Sequence, residues 1–129
     1  MNDGPVNARK FVLTIDDDPD MLEIIQQCLE SEGFHVLTAD GPKKALEIYE
    51  KRWREIALVL LDYLMPDMTG DLVLACLQRI NPDVRVILLT AYEDSVPRTM
   101  FETGLRGYLQ KPFYVEDLVQ RVREELDQS

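Results

Sequence analysis

Five short apolar runs alternate with helical patterns along the chain, and this alternation is the feature that most restricts the fold. Most of the runs are continuous, which is typical of strands covered on both faces. The runs are Phe11–Ile15, Phe34–Thr38, Ala57–Leu61, Val84–Leu89 and Gly107–Gln110. Strand–helix–strand units of this length favour parallel pairing with right-handed crossovers. The sequence therefore predicts an α/β fold, (βα)5, with a doubly wound parallel five-stranded sheet in strand order 2-1-3-4-5.

Helix signals separate and follow these runs. Asp18 is a predicted cap and Pro19 suits the first helical turn, while Pro42 begins the second helix after Asp40 or Gly41. The predicted helices run from Pro19 up to Gly33, from Pro42 to Tyr49, from about Thr69 to Ile80, from Pro97 to Gly104, and from Val115 to Leu126. The fourth is the weakest pattern, because Pro97 suits only a first turn.

Length and composition indicate one acidic domain. The chain has 129 residues, of which 46% are hydrophobic, and a formal net charge of −10. We expect a flexible N-terminal segment over residues 1–8 and a single domain over 9–127. The acidic charge argues against direct nucleic-acid binding, which needs a basic face. No apolar run approaches a membrane span, and the polar N-terminus is no signal peptide, so we expect a soluble cytoplasmic protein with no membrane partner.

Cys28 and Cys76 fall among the apolar residues of the first and third predicted helices. These helices should lie on opposite faces of the sheet, so we expect no disulfide between them. His35 lies in the second predicted strand, away from the polar residues described next, and we interpret it as structural.

Polar side chains collect where the central strands end. Asp16 and Asp17 follow the first strand, Asp62 follows the third, Thr90 follows the fourth, and Lys111 follows the fifth. Because the carboxyl ends of parallel strands share one edge of a sheet, these side chains should lie close together. Several carboxylates favour a hard cation such as Mg²⁺, while a lysine and a hydroxyl can bind phosphate oxygens. An aspartate can also accept a phosphoryl group.

Four motifs, "IDDDPD", "VLLDYLMPDMTG", "VILLTAY" and "GYLQKPF", occur in that order. With their spacing, residues 9–127 resemble the receiver domains of bacterial two-component response regulators, which are flavodoxin-like. The resemblance implies that Asp62 is the phosphoacceptor. It also implies that Mg²⁺ is held by Asp17, with help from Asp16, by Asp62 itself, and by the backbone carbonyl of Leu64.

The resemblance implies roles for the later motifs too. Thr90 and Lys111 would hold the phosphoryl oxygens, the Lys111–Pro112 bond would be cis, and Tyr108 would move inward together with Thr90. The implied function is a signalling switch that takes a phosphoryl group from a phosphohistidine of a sensor histidine kinase or phosphotransfer protein. Its conformation would change at the face formed by the fourth helix, fifth strand and fifth helix, which an output protein or domain would read. Such a domain is not an enzyme, although it assists its own phosphorylation and dephosphorylation.

Two features depart from the family pattern. The positions two residues after the acceptor and after the threonine are Leu64 and Tyr92, which are bulky, and we expect them to screen an acyl phosphate from water. Arg106 lies where many DNA-binding regulators carry acidic residues, which puts the usual salt-bridged dimer in doubt.

Two other functional classes remain open at this point. In a haloacid-dehalogenase-like phosphatase, Asp16 would be the nucleophile and Asp18 the general acid, but the chain lacks the usual downstream acidic pair and Asp62 has no role. A receiver-like binding module that is never phosphorylated would leave the full acceptor set unexplained. An output domain could also follow the fifth helix in a longer protein.

Overall fold

The predicted sheet order is confirmed. A computed structural model of the protein describes residues 11–91, 98, 100 and 104–127. Its five parallel strands lie in the order β2-β1-β3-β4-β5. The strands are β1 (Phe11–Ile15), β2 (His35–Ala39), β3 (Ile56–Asp62), β4 (Val86–Thr90) and β5 (Leu105–Gln110).

Four of the five strands have boundaries that differ from the predicted ones. β2 begins and ends one residue late, β4 begins two residues late and ends one residue late, β3 extends by one residue at both ends, and β5 begins at Leu105. The apolar runs mark buried side chains, whereas the backbone pairing that defines a strand also includes polar residues. Asp62 pairs with Leu89 and Thr90 pairs with Gln110. Asp62 and Thr90 are therefore the last residues of their strands rather than the first residues after them.

The described helices are α1 (Pro19–Ser31), α2 (Pro42–Arg52), α3 (Gly70–Ile80) and α4 (Val115–Asp127), and a 3-10 turn, Trp53–Glu55, follows α2. The helix α4 is the fifth helix that the sequence predicts. The predicted fourth helix falls on residues 97–104, of which the structure describes 98, 100 and 104. The predicted N-terminal segment 1–8 and Tyr92 lie outside the described residues.

Local chemistry sets both ends of α1. Asp18 is the N-cap, and its Oδ1 accepts a hydrogen bond from the backbone N–H of Asp20 at 3.0 Å. Pro19 follows as the first helical residue, where its missing N–H costs nothing. Gly33 adopts φ of +94°, a left-handed conformation that suits glycine and turns the chain toward β2. The predicted capping role of Asp18 is therefore confirmed.

The sheet carries one apolar core on each face. The core under α1 and α4 includes Ile25 and Val122, and the core under α2 and α3 includes Tyr49 and Leu77. Cys28 and Cys76 are free thiols on helices that cover opposite faces, as predicted. No helix among the described residues is long and apolar enough to cross a membrane.

Thr14, in the middle of β1, carries a buried hydroxyl that forms no hydrogen bond, unlike every other fully buried side-chain polar atom among the described residues. Burial of an unpaired hydroxyl is unfavourable, and valine has nearly the same shape. We expect Thr14→Val to raise the free energy of unfolding by about 1 kcal/mol, measured by urea denaturation. The control is Thr38→Val at the facing position of β2, which is partly exposed and should change stability little. A Thr14→Val variant less stable than the parent would show that the hydroxyl is satisfied.

Candidate functional site

Three aspartates meet at the carboxyl edge of the sheet. Asp16 directly follows β1, and Asp62 ends β3, which pairs with β1. Asp16, Asp17 and Asp62 can each present a carboxylate oxygen so that these oxygens lie within 4.8 Å of one another. The topology therefore places Asp62 beside two residues that lie 45 and 46 positions before it in the sequence.

The three consecutive aspartates of "IDDDPD" have different surroundings. Asp16 is only 1% exposed, and its Oδ1 accepts a hydrogen bond from the backbone N–H of Asp18 at 3.0 Å. The N–H of Asp16 donates to the carbonyl of Ala39 at 3.1 Å, which fixes the chain at the end of β1. Asp17 is exposed, and the carboxylate of Asp18 caps α1. Asp16 and Asp17 therefore face the site, and Asp18 serves the helix.

Lys111 connects two of the carboxylates. Its Nζ lies 3.1 Å from Asp16 Oδ2 and 3.4 Å from Asp62 Oδ1. Its backbone N–H donates to the carbonyl of Thr90 at 2.7 Å, so the residue after β5 is fixed to the end of β4. The following bond, Lys111–Pro112, is cis.

The electrostatics of the site follow from burial. Burial raises the pKa of Asp62 to about 6; the charges of Asp16 and Asp17 add to the rise, and Lys111 opposes it. Burial lowers the pKa of Lys111, but Asp16 and Asp62 outweigh that effect, so the pKa is raised overall. The lysine is therefore a permanent cation near neutral pH. Asp62 is a carboxylate that a second cation, beyond Lys111, would stabilise.

The remaining predicted residues lie on neighbouring strands. Thr90 is buried and ends β4, which lies between the strand of Asp62 and the strand that leads to Lys111. Tyr108, on β5, is partly buried and packs against the core under α2 and α3. Leu64, two residues after Asp62 in the sequence, is 49% exposed. Tyr92 lies outside the described residues.

Gly70 also shapes the loop after β3, and the sequence pattern gives no sign of this role because the residue lies near the start of a predicted helix. Its N–H donates to the carbonyl of Tyr63 at 2.8 Å, which closes the loop between Asp62 and α3. A Cβ at this position would lie 3.0 Å from the Tyr63 Cα. Glycine therefore allows the close approach that positions the loop carrying Leu64.

The comparison with protein families agrees with this geometry. The sequence model described as "Response regulator receiver domain" matches residues 12–123. The chain belongs to this family. It is 35% identical over 119 residues to the transcriptional regulatory protein CpxR of Escherichia coli K12, and the match covers 92% of this chain and 50% of CpxR. The receiver domain thus spans about half the length of this curated relative.

Solved receiver structures have the same fold. A response regulator receiver domain from Clostridium thermocellum is 32% identical, with a TM-score of 0.84, and the match covers 92% of this chain and 94% of that one. The CheX–CheY–BeF3–Mg²⁺ complex from Borrelia burgdorferi contains a chain that is 29% identical, with a TM-score of 0.81 and coverage of 88% and 87%.

Membership of this family makes the chain a signalling domain of two-component systems rather than a typical enzyme, and it favours neither alternative function. The site agrees with this outcome. In the phosphatase reading Asp18 would be a general acid, but its carboxylate accepts the first N–H bond of α1 and is exposed. The phosphatase hypothesis gives Asp62 no role, yet Asp62 is buried and contacts Lys111.

Proposed function

We propose that this domain is a switch that is phosphorylated on Asp62 in a Mg²⁺-dependent reaction. The observation that carries the proposal is the position of Lys111 Nζ between Asp16 and Asp62, beside the group that these two form with Asp17. A buried carboxylate with both a fixed cation and further carboxylates beside it has the groups that phosphoryl transfer requires, because such catalysis depends mainly on positioning and charge neutralisation.

The donor set fits Mg²⁺. Three carboxylates that can converge within 4.8 Å supply hard oxygen ligands, and Asp17 is open to solvent so that water can complete the coordination. Asp16, Asp17 and Asp62 would hold the ion, together with the backbone carbonyl of Leu64. When bound, the ion would neutralise charge on the phosphoryl oxygens.

Each residue has a defined part in the transfer. An oxygen of Asp62 forms the new bond to phosphorus, and the phosphorus–nitrogen bond of the donor phosphohistidine breaks, so its imidazole leaves with the electron pair. Lys111 is close enough to turn from the two carboxylates to a phosphoryl oxygen. Thr90, at the end of the next strand, supplies a hydroxyl for a second oxygen.

The same geometry supports a conformational response. Thr90 and Tyr108 lie on the paired strands β4 and β5, and movement of Thr90 toward a phosphoryl group would leave space for the ring of Tyr108. The donor would be a sensor histidine kinase or phosphotransfer protein in the cytoplasm. The changed face would be read by an output protein or by an output domain of a longer chain.

The test is the intact mass of the protein after incubation with acetyl phosphate and Mg²⁺. We expect the parent to gain one phosphoryl group and Asp62→Ala to gain none. Asp67→Ala, which replaces an exposed aspartate in the loop after β3, is the matched control and should be modified like the parent. A phosphoryl group that persists in Asp62→Ala, or that maps to Asp16, contradicts the proposal.

Leu64 is predicted to slow the loss of the phosphoryl group, because its half-exposed apolar side chain limits the approach of water to Asp62. We expect Leu64→Asn to shorten the lifetime of the phosphorylated protein several-fold, and Tyr92→Glu to act in the same direction. The measurement is the decay of the phosphorylated mass after the phosphoryl donor is removed. If both variants decay no faster than the parent, the screening role is wrong.

A further inference from the structure

The edge strand β5 contains a β-bulge at Arg106. Val86 of β4 pairs with Leu105, but the next residue, Ile87, pairs with Gly107, so Arg106 is an extra residue in β5. Bulges bend a strand and redirect a side chain. Here the bulge directs Arg106 toward the helix α4.

Two arginines hold the last turn of α4. The Nε of Arg106 donates to Glu125 Oε1 at 3.0 Å, and the Nη1 of Arg85 donates to the backbone carbonyl of Glu125 at 2.8 Å. The Glu125 side chain is only 8% exposed, whereas that of Arg106 is 42% exposed. Carbonyls in a last helical turn lack partners within the helix and favour nearby cations. We call Arg85, Arg106 and Glu125 the clamp.

The bulge is also held from the side of α4. The Nη2 of Arg121 lies 3.4 Å from the carbonyl of Arg106 and donates to it. The guanidinium of Arg121 therefore lies directly over Gly107, and a side chain at that position would require Arg121 to move. The backbone of β5 is therefore fixed to α4 at the bulge as well as through the Glu125 carboxylate.

The strand β5 joins the clamp to the carboxylate site. Beyond the bulge, Gly107–Gln110 pair in unbroken register with Ile87–Thr90, and Lys111 follows directly. The bulge is the only register shift in the described pairing of β4 and β5. If β5 moves along β4, the backbone therefore changes conformation at Arg106, the residue that pairs with Glu125.

From this arrangement we infer that the clamp is a regulatory element that opposes the movement of β5 on phosphorylation. The inference rests on the proposed function. Movement of Lys111 toward a phosphoryl group pulls on β5, and the pull separates Arg106 from Glu125 and releases the last turn of α4. Coupling between two sites is reciprocal. If binding at the phosphorylation site weakens the clamp by a given factor, loss of the clamp must strengthen that binding by the same factor.

The experiment measures the affinity for beryllofluoride in the presence of Mg²⁺ by titration calorimetry. We expect Glu125→Gln to bind it at least about threefold more tightly than the parent. Removal of one partner can leave a buried charge unpaired, so the double variant Arg106→Met/Glu125→Met is the second arm. It removes both charges together and should bind at least as tightly as Glu125→Gln.

Arg123→Met is the matched control. Arg123 is also on α4, but it pairs with Glu32 at 3.0 Å and lies over the ring of Phe34, away from β5. Its loss should leave the affinity unchanged. The inference is overturned by unchanged or weaker binding in the clamp variants, or by equal tightening in the control. Failure of the parent to bind beryllofluoride would instead contradict the proposed function.

Amide hydrogen exchange gives a readout that a purely structural ion pair would not move. In the parent, beryllofluoride with Mg²⁺ should speed exchange in the last turn of α4, by a factor similar to the gain in affinity. In the double variant the last turn should already exchange fast, and addition of the probe should change it little. An exchange rate in the parent that is unchanged by the probe contradicts the inference.

Discussion

Asp62→Asn is expected to stabilise the metal-free domain at pH 7, by about 1–3 kcal/mol in the free energy of unfolding. Asp62 is 7% exposed and lies beside a second buried carboxylate, Asp16. Burial and the charge of Asp16 raise its pKa from 3.8 to about 6, even though Lys111 opposes the rise. The ionised side chain is therefore a cost to the folded state, and asparagine removes the charge while it keeps the shape.

The sign of the pH dependence follows from the same shift. Between pH 4 and pH 6 the folded protein holds the Asp62 proton while the unfolded chain has lost it, so this residue's contribution to stability falls as the pH rises. The full penalty applies above about pH 7. The stability difference between Asp62→Asn and the parent should therefore grow from pH 4 to pH 7 and then stay constant.

Urea denaturation in the presence of a chelator measures this difference. Asp83→Asn, which changes an exposed aspartate before β4, is the control and should follow the parent at every pH. Added Mg²⁺ should stabilise the parent but not Asp62→Asn, which would bring the two proteins closer together. A variant that is less stable than the parent at pH 7 without metal would contradict the electrostatic account.

The sheet and its polar edge could be predicted from the sequence because both follow from short-range patterns. Continuous apolar runs separated by helices leave few alternatives to a parallel sheet, and parallel strands bring their carboxyl ends to one edge. Asp16, Asp62, Thr90 and Lys111 could therefore be grouped before any distance was known. The roles assigned to them in phosphorylation remain predictions.

Other features of the site could not be predicted, because they depend on packing between distant residues. Asp16 and Asp17 are identical in chemistry and adjacent in sequence, yet Asp16 is buried and Asp17 is exposed where the chain leaves β1. The bulge at Arg106 has no distinctive sequence pattern, so the sequence does not indicate that Arg106 pairs with Glu125. The sequence showed only that Arg106 was an unusual residue for its position.

Lys111→Met should destabilise the metal-free domain at pH 7 by about 2–4 kcal/mol, somewhat less than loss of a partner from a fully buried pair, because the lysine is partly exposed. Its Nζ contacts Asp16 Oδ2 at 3.1 Å and Asp62 Oδ1 at 3.4 Å. Methionine keeps most of the apolar stem, so the substitution removes mainly the charge. The two carboxylates then repel each other without a nearby cation.

Addition of Mg²⁺ should restore much of the lost stability, because a divalent cation replaces the missing positive charge. The variant should also bind Mg²⁺ more tightly than the parent, since the lysine no longer competes for the same oxygens. Lys44→Met, at an exposed lysine of α2, is the control and should change neither the stability nor the metal affinity.

A double-mutant cycle separates repulsion between carboxylates from a loss of packing. If repulsion between Asp16 and Asp62 causes the destabilisation, Asp62→Asn in the Lys111→Met background should recover more stability than it adds to the parent. If lost packing of the lysine stem causes it, the two substitutions should be additive, since asparagine restores no contact with residue 111. If the two substitutions change the free energy of unfolding additively, Lys111 has a steric role at this site. A coupling of more than about 1 kcal/mol between them would identify Lys111 as the counter-ion that keeps the carboxylate of Asp62 ionised.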